Sequence, residues 1–394
     1  MKPIKLGLLP QILISIALGI ALGTIVPDWI VRLCLTFNGI FSQFLNFLIP
    51  LIILGFVAPA IADIGKSAGR MLVVTAVLAY GFTIMAGLLS YLTGNEFFPT
   101  LITRTPELAS LENARSLAPY FNVEIPALMS VMTALVAAFT FGLGIAYLRG
   151  DTLKRGFDEF RDIISMVIRR VIIPLLPIYI FGIFLNMTVS GQVWSMLNTF
   201  AKIILIIFAL HVFILLLQFC IAGACVKRNP LRLLWGMLPA YFTALGTQSS
   251  AATIPVTLRQ TISLGVREDV AGFVVPLCAT IHMSGSTLKI VACALALMIM
   301  EGHPYDISMF MGFISMLAIT IIAAPGVPGG AIMASLGLLS SMLGFTEADN
   351  ALMIALYIAM DSFGTACNVT GDGSIALIVG RIFRKPAATS AQQD

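Results

Sequence analysis

Charge is what this 394-residue sequence has least of. Asp, Glu, Lys and Arg together make up 11% of it, where a soluble domain carries roughly 25%. So little polar cover excludes a chain of this length surrounded by water. Histidine is almost absent, with His211, His282 and His303 far apart along the chain. The six cysteines (Cys34, Cys220, Cys225, Cys278, Cys293 and Cys367) lie mostly inside apolar runs and lack metal-type spacing. They read as small apolar residues, and no disulfide framework is expected. Ser249 and Ser250 have no base beside them. A membrane enzyme is therefore disfavoured for want of a nucleophile–base set or a metal cluster. The net charge of +4 is small, and no nucleic-acid partner is expected. In place of charge stand hydrophobic residues, 59% of the chain, in recurring stretches of about 20, the length that crosses a hydrocarbon core.

The charges that remain order these stretches. Apolar runs cover about Leu6–Val26, Ile40–Ile61, Met71–Leu92, Ile125–Leu148, Ile163–Leu185 and Phe200–Val226, with a polar loop from Thr93 to Glu124. Basic residues precede the first run (Lys2, Lys5). They recur between the second and third (Lys66, Arg70), between the fourth and fifth (Arg149, Lys154, Arg155) and after the sixth (Lys227, Arg228, Arg232). Alternate loops are basic, as six crossings with a cytoplasmic N-terminus require. The first run lacks a small-residue cleavage site and reads as a retained helix.

Beyond the sixth run this regularity breaks. Leu233–Leu258 is long enough for one crossing, yet Arg232 precedes it and Arg259 and Arg267 follow. Both flanks read as cytoplasmic, so the segment is expected to enter and return as a hairpin. Its middle is the polar, small-residue stretch Thr247–Pro255. A full run, Val270–Met300, ends at Glu301, His303 and Asp306. Met309–Leu343 is then interrupted at its centre by Ala324-Pro-Gly-Val-Pro-Gly-Gly330 and ends at Glu347 and Asp349. Glycine and proline at that density break a helix. The last run, Ala351–Ile382, ends at Arg381, Arg384 and Lys385, which places the C-terminus in the cytoplasm. Two broken segments thus enter from opposite faces. Irregular backbone at membrane depth survives only where protein or a watery cavity covers it, and paired broken segments point to the central site of a transporter.

Four stretches resemble the dicarboxylate/amino acid:cation symporter family, the glutamate-transporter-like carriers. They are Gln248-Ser-Ser-Ala-Ala-Thr-Ile-Pro-Val-Thr257, Ala279-Thr-Ile-His-Met-Ser-Gly-Ser286, Gly326-Val-Pro-Gly-Gly330 and Asp361-Ser-Phe-Gly-Thr-Ala-Cys-Asn-Val-Thr-Gly-Asp372. Their order and spacing extend the resemblance over nearly the whole chain. It implies an all-α membrane protein with eight transmembrane helices and two opposed re-entrant hairpins, arranged as inverted repeats. It also implies a homotrimer of elevator type. Residues 1–226 are expected to be mainly scaffold, with spans three and six partly in the moving part. Residues 227–385 are expected to form the transport core and 386–394 a disordered cytoplasmic tail. The implied setting is the cell inner membrane.

An amino-acid zwitterion needs donors for its carboxylate and an anion for its ammonium. Free amides at a hairpin tip can hold a carboxylate, a role assigned to Ser249, Ser250 and Ala251 with Asn368. Asp361 is an acid inside an apolar span, a functional candidate by default. The resemblance gives it the ammonium, with Thr365 beside it and Ser286 and Gly364 in the same substrate site. Asp372 is the candidate sodium carboxylate. The resemblance completes a first cation site with backbone oxygens at Cys278, His282 and Asn368. A second site takes carbonyls at Thr280, Ile321, Ile322 and Ala324 with the Met283 sulfur.

Three departures narrow the expectation. The family's Asn-Met-Asp-Gly-Thr reads His282-Met-Ser-Gly-Ser286 here, and its partner positions in span three are Thr75, Leu78 and Ala79. A third sodium cage is therefore expected to be lost. His282 and Lys289 stand seven apart, on one face of a continuous helix, and either could supply positive charge where an ion would sit. The alternative is that Lys289 snorkels along a crevice and His282 only hydrogen-bonds. Finally, the arginine that grips an acidic side chain is replaced by Gly364. This favours a neutral amino acid, carried with sodium or protons. A dicarboxylate or acidic amino acid remains the alternative, with Lys289 as its partner. An anion channel and a transporter-like receptor are the rivals of a different class.

Overall fold

A computed structural model describes residues 8–66, 69–102, 117–191, 193–322 and 329–383. Among these residues the chain is helical throughout its regular structure, with no strand. The helices are α1 (Leu8–Gly23), α2 (Asp28–Lys66), α3 (Arg70–Leu101), α4 (Val131–Tyr147), α5 (Thr152–Val189), α6 (Val193–Val226), α7 (Pro230–Thr247) and α8 (Ser250–Ser263). They continue as α9 (Glu268–Ile281), α10 (Ser284–Glu301), α11 (Ile307–Ile321), α12 (Gly330–Leu343), α13 (Glu347–Ala359) and α14 (Asp361–Ile382). Five described spans are long and apolar enough to cross a membrane, and the bent pair α13–α14 makes a sixth. Large apolar side chains such as Val77, Val136, Leu205 and Trp235 are exposed. Lipid is the solvent that makes this exposure cheap.

Local sequence explains the helix ends. Asn229 accepts the amides of Leu231 and Arg232 ahead of Pro230, joining an N-cap to a proline at the first helical position. Asp306 caps α11 through the Met309 amide. Thr346 and Asp349 form a reciprocal capping box at the start of α13. Gly302, at φ 75°, closes α10 in the left-handed conformation that glycine adopts without penalty.

Several boundaries move from the sequence reading. The polar loop expected from Thr93 starts later, because α3 continues to Leu101 with Phe98 fully buried. Burial of an aromatic side chain outweighs the polar residues Thr93, Asn95 and Glu96 around it. The fifth run lengthens at its N-terminal end to Thr152, through an amphipathic stretch whose Phe157 and Phe160 pack on the core. The two runs read as continuous are both broken. The seventh parts at His282 and Met283, and the eighth at Met360, where the two halves meet at 63°. The Asn368–Asp372 stretch lies inside continuous α14. Its Gly371 serves close packing: a Cβ there would meet Gln218 and His282 at 2.5 Å.

The helices pack in two groups. In one, α2 packs on α4 and α5, and α1 on α5. In the other, α14 is surrounded by α6, α7, α8, α9 and α10, and α3 lies along α10. All of α10 from Ser284 to Met300 is buried, which accounts for its lack of a polar face. α12 packs closely on the first group at Gly337, where a Cβ would stand 2.5 Å from Ile49 and Val131. A cavity of about 680 Å³ also lies between α2, α5, the end of α10 and α13, lined in part by Asn38, Ser42, Tyr179, Glu301, Glu347 and Asp349.

Candidate substrate and cation site

The site forms where four helix ends converge on α14. At the tip of the first hairpin, α7 stops at Thr247 and Gln248 takes a left-handed φ of 53°. Ser249 is extended and caps α8 by accepting the Ala252 amide. The Gln248 side chain donates to Ser362 Oγ at 2.8 Å, which ties this tip to the first turn of α14. The amides of Ser250 and Ala251 belong to the first turn of α8, whose donors have no partner within the helix. The expected carboxylate-binding tip is therefore a helix N-terminus beside α14.

The break between α9 and α10 supplies the second element. Asn368 Oδ1 accepts the amides of Gly285 at 2.7 Å and Ser286 at 3.3 Å, so it caps α10 from outside. Its Nδ2 donates to Ser286 Oγ at 3.0 Å and lies 3.5 Å from the Met283 sulfur. Tyr357 donates its hydroxyl to the same Ser286 Oγ at 3.1 Å. Predicted residues Ser286, Met283 and Asn368 are thus brought together. Thr365 is buried on α14 one turn after Asp361.

Asp361 is the first residue of α14, where the helix dipole favours a carboxylate. Both its oxygens are engaged. Oδ2 accepts the Gly329 amide at 2.8 Å, and Oδ1 pairs with Lys289 Nζ at 2.9 Å. The Lys289 ammonium also lies 3.5 Å from the centre of the Tyr357 ring and 3.4 Å from the Met360 carbonyl. It reaches there because residue 364 is glycine: a Cβ on Gly364 would stand 2.7 Å from Nζ.

Deeper along α14, Asp372 Oδ1 is 2.9 Å from His282 Nδ1, both side chains being buried. The Gln218 side-chain nitrogen lies 3.4 Å from the other ring nitrogen. His282 stands in the break ahead of α10 and not on it. The seven-residue spacing to Lys289 therefore does not put the two on one helical face, and they serve different carboxylates. The helix on which that argument rested is interrupted.

The donor sets differ in how they suit sodium. Thr280 and Ile321 lie in the last turns of α9 and α11, and Ile322 caps α11. Carbonyls there lack intrahelical partners and carry the negative end of the helix dipole, which fits a hard cation. Ala324 lies outside the described residues. The first set retains its carboxylate but shares it with an imidazole, and its Cys278 carbonyl accepts the His282 amide at 2.9 Å. The third does not fit. Ser284 and Ala79 bring no carboxylate, Leu78 brings no oxygen, and the Thr75 hydroxyl donates to the Met71 carbonyl.

Sequence reasoning missed Gln218, Tyr357 and His211, whose Nε2 lies 3.1 Å from the Gly285 carbonyl. A signal was present for two of them. His211, Ile214, Leu215, Gln218, Phe219 and Ala222 are all buried, and this helical stripe carries the two polar residues to the site.

The comparisons with known proteins settle the family. The profile of the sodium:dicarboxylate symporter family matches residues 8–382. The chain belongs to that family. Among its relatives are the serine/threonine transporters SstT of Acinetobacter baumannii. The protein of strain AYE is 27% identical over 386 residues, covering 93% of this chain and 95% of the relative. That of strain SDF is 26% identical over the same shares. The symporter is thus a multi-pass membrane transporter and not an enzyme.

Proposed function

We propose that this symporter carries a small neutral amino acid of the serine, alanine or threonine class, driven by a sodium gradient. The observation that carries the reading is the state of Lys289. An acidic substrate needs a cation for its second carboxylate, and Gly364 supplies none. Lys289 is the nearest cation, and its ammonium is taken up by Asp361, Tyr357 and Met360. A second carboxylate would enter without a partner, at a cost of several kcal/mol for a desolvated charge. Relatives named for serine and threonine agree with this.

In this reading the first-turn amides of α8 at Ser250 and Ala251 receive the substrate carboxylate, with Ser249 beside them. Asp361 receives the ammonium, and Thr365 and Ser286 border the side-chain space. Sodium, where the helix-end carbonyls at Thr280, Ile321 and Ile322 hold it, supplies the gradient energy. Asp372 with His282 offers one further cation or proton position, and the third cage is lost. The group built on α14, including α3 and α6, moves as one elevator body against α1, α2, α4 and α5. The cavity lined by Asn38, Ser42, Glu301 and Glu347 supports such sliding, because it leaves room between α2, α5, α10 and α13. Eight spans with two re-entrant hairpins, cytoplasmic termini in the inner membrane and a homotrimer complete the reading.

The test is counterflow in proteoliposomes with a panel of amino acids and dicarboxylates, under imposed sodium or proton gradients. Saturable uptake of serine, alanine or threonine is expected. Uptake of glutamate without any of these overturns the substrate assignment.

A further inference from the structure

Asp361 is the carboxylate expected to receive the substrate ammonium, yet the Lys289 ammonium is paired with it at 2.9 Å. Lys289 comes from the second turn of α10, and its nitrogen is fully buried. Its surroundings are those of a bound primary ammonium: a carboxylate oxygen at 2.9 Å, a carbonyl at 3.4 Å and an aromatic face at 3.5 Å. Cation–π and charged hydrogen-bond partners of this kind would equally hold the ammonium of a free amino acid. The space Nζ fills is available only because Gly364 has no side chain.

We infer that Lys289 is a tethered surrogate for the substrate ammonium: it holds Asp361 Oδ1, yields that oxygen to the ammonium of the amino acid on loading, and stays seated on the Tyr357 ring and the Met360 carbonyl. This rests on the amino-acid reading above and adds a residue to it. A buried carboxylate that crosses the membrane unpaired carries a heavy desolvation cost. The tether removes that cost when the carrier returns empty. It also makes every substrate compete with a cation that cannot diffuse away, and it discriminates by class. A primary α-ammonium can replace Lys289 on Asp361, whereas a 2-hydroxy acid of the same shape offers only a neutral hydroxyl, too weak a donor to displace a charged one, and leaves the tether in place.

The experiment compares wild type with Lys289→Met and Gly364→Ala, purified in detergent, using serine and its 2-hydroxy analogue glycerate as probes in equilibrium binding. Removing the tether is expected to tighten serine binding at least tenfold and to leave glycerate unbound. In Gly364→Ala the added methyl presses on Nζ and loosens its seat, so a smaller tightening in the same direction is expected. This second variant keeps the test decisive should Lys289→Met fold poorly. In proteoliposomes the ratio of net serine uptake to serine exchange is expected to fall at least tenfold in Lys289→Met, because only net uptake requires the empty return. Serine affinity in wild type that is unchanged or weakened in the foldable variants overturns the inference and leaves the amino-acid reading standing. Absence of amino-acid binding in all three proteins overturns both.

Discussion

Replacing Asp361 by Asn, Lys289 by Met, and then both together, isolates the energetic content of the buried ion pair. Lys289 is wholly buried and the Asp361 side chain is 6% exposed. Removing one partner leaves an uncompensated charge, which costs about 3–5 kcal/mol. Among the described residues, Asp361 keeps the Gly329 amide when Lys289 goes, and no cation. Lys289 keeps the Tyr357 ring and one carbonyl when the carboxylate goes. Removing both leaves no unpaired charge and is often near neutral, so the double variant is expected to lose less than about 2 kcal/mol. The coupling energy is then about 4 kcal/mol or more, far above the few tenths expected of independent sites. For a chain of this size roughly 2 °C is lost per kcal/mol. Each single variant is thus expected to melt about 6–10 °C below wild type, with the double variant recovering most of the loss. The assay is thermal unfolding of the purified protein in detergent without substrate, followed by intrinsic fluorescence. Additive losses, with the double variant melting as low as the two singles summed, would falsify the assignment of a direct buried pair.

Two further outcomes follow from the same geometry. Gly285→Ala places a Cβ 2.6 Å from the Gly364 carbonyl and 2.7 Å from Cys367 Cβ. With backbone on one side the helices must part, and a loss of about 1–3 kcal/mol is expected; a melting temperature within 1 °C of wild type would contradict that close approach. Gly364→Arg combined with Lys289→Met returns a guanidinium to the space Nζ now fills. Aspartate uptake is expected to appear, favoured by about 1.5–3 kcal/mol for a hydrogen bond to a charged group, whereas Gly364→Arg alone is expected to stay inactive towards aspartate because Lys289 occupies that space. Aspartate uptake by the single variant would show that Lys289 yields without being removed.

The sequence was informative wherever a residue type alone carries the physics. Scarce charge and recurring apolar runs required a lipid solvent, and alternation of basic loops ordered the runs. An acid within an apolar span identified Asp361, because no buried carboxylate persists there without a partner. By the same physics a lysine buried in a span needs an anion. Sequence spacing failed where it presumed a continuous helix. Met360 and the His282–Met283 step carry no glycine or proline to announce a break. The breaks are held by long-range partners instead: Asn368 caps α10 from another helix, and Gly329 and Lys289 engage the carboxylate at the start of α14.

What the sequence determined by itself is the solvent, the order of the segments and the list of ionisable residues that need partners in an apolar interior. What only the tertiary structure decided is the pairing. Lys289 goes to Asp361 and His282 to Asp372 because two interrupted helices bring their ends against α14, and because Gly364 and Gly371 leave the room that those side chains fill. Such pairings depend on contacts of 2.9 Å between residues 72 and 90 positions apart, and no local pattern encodes them.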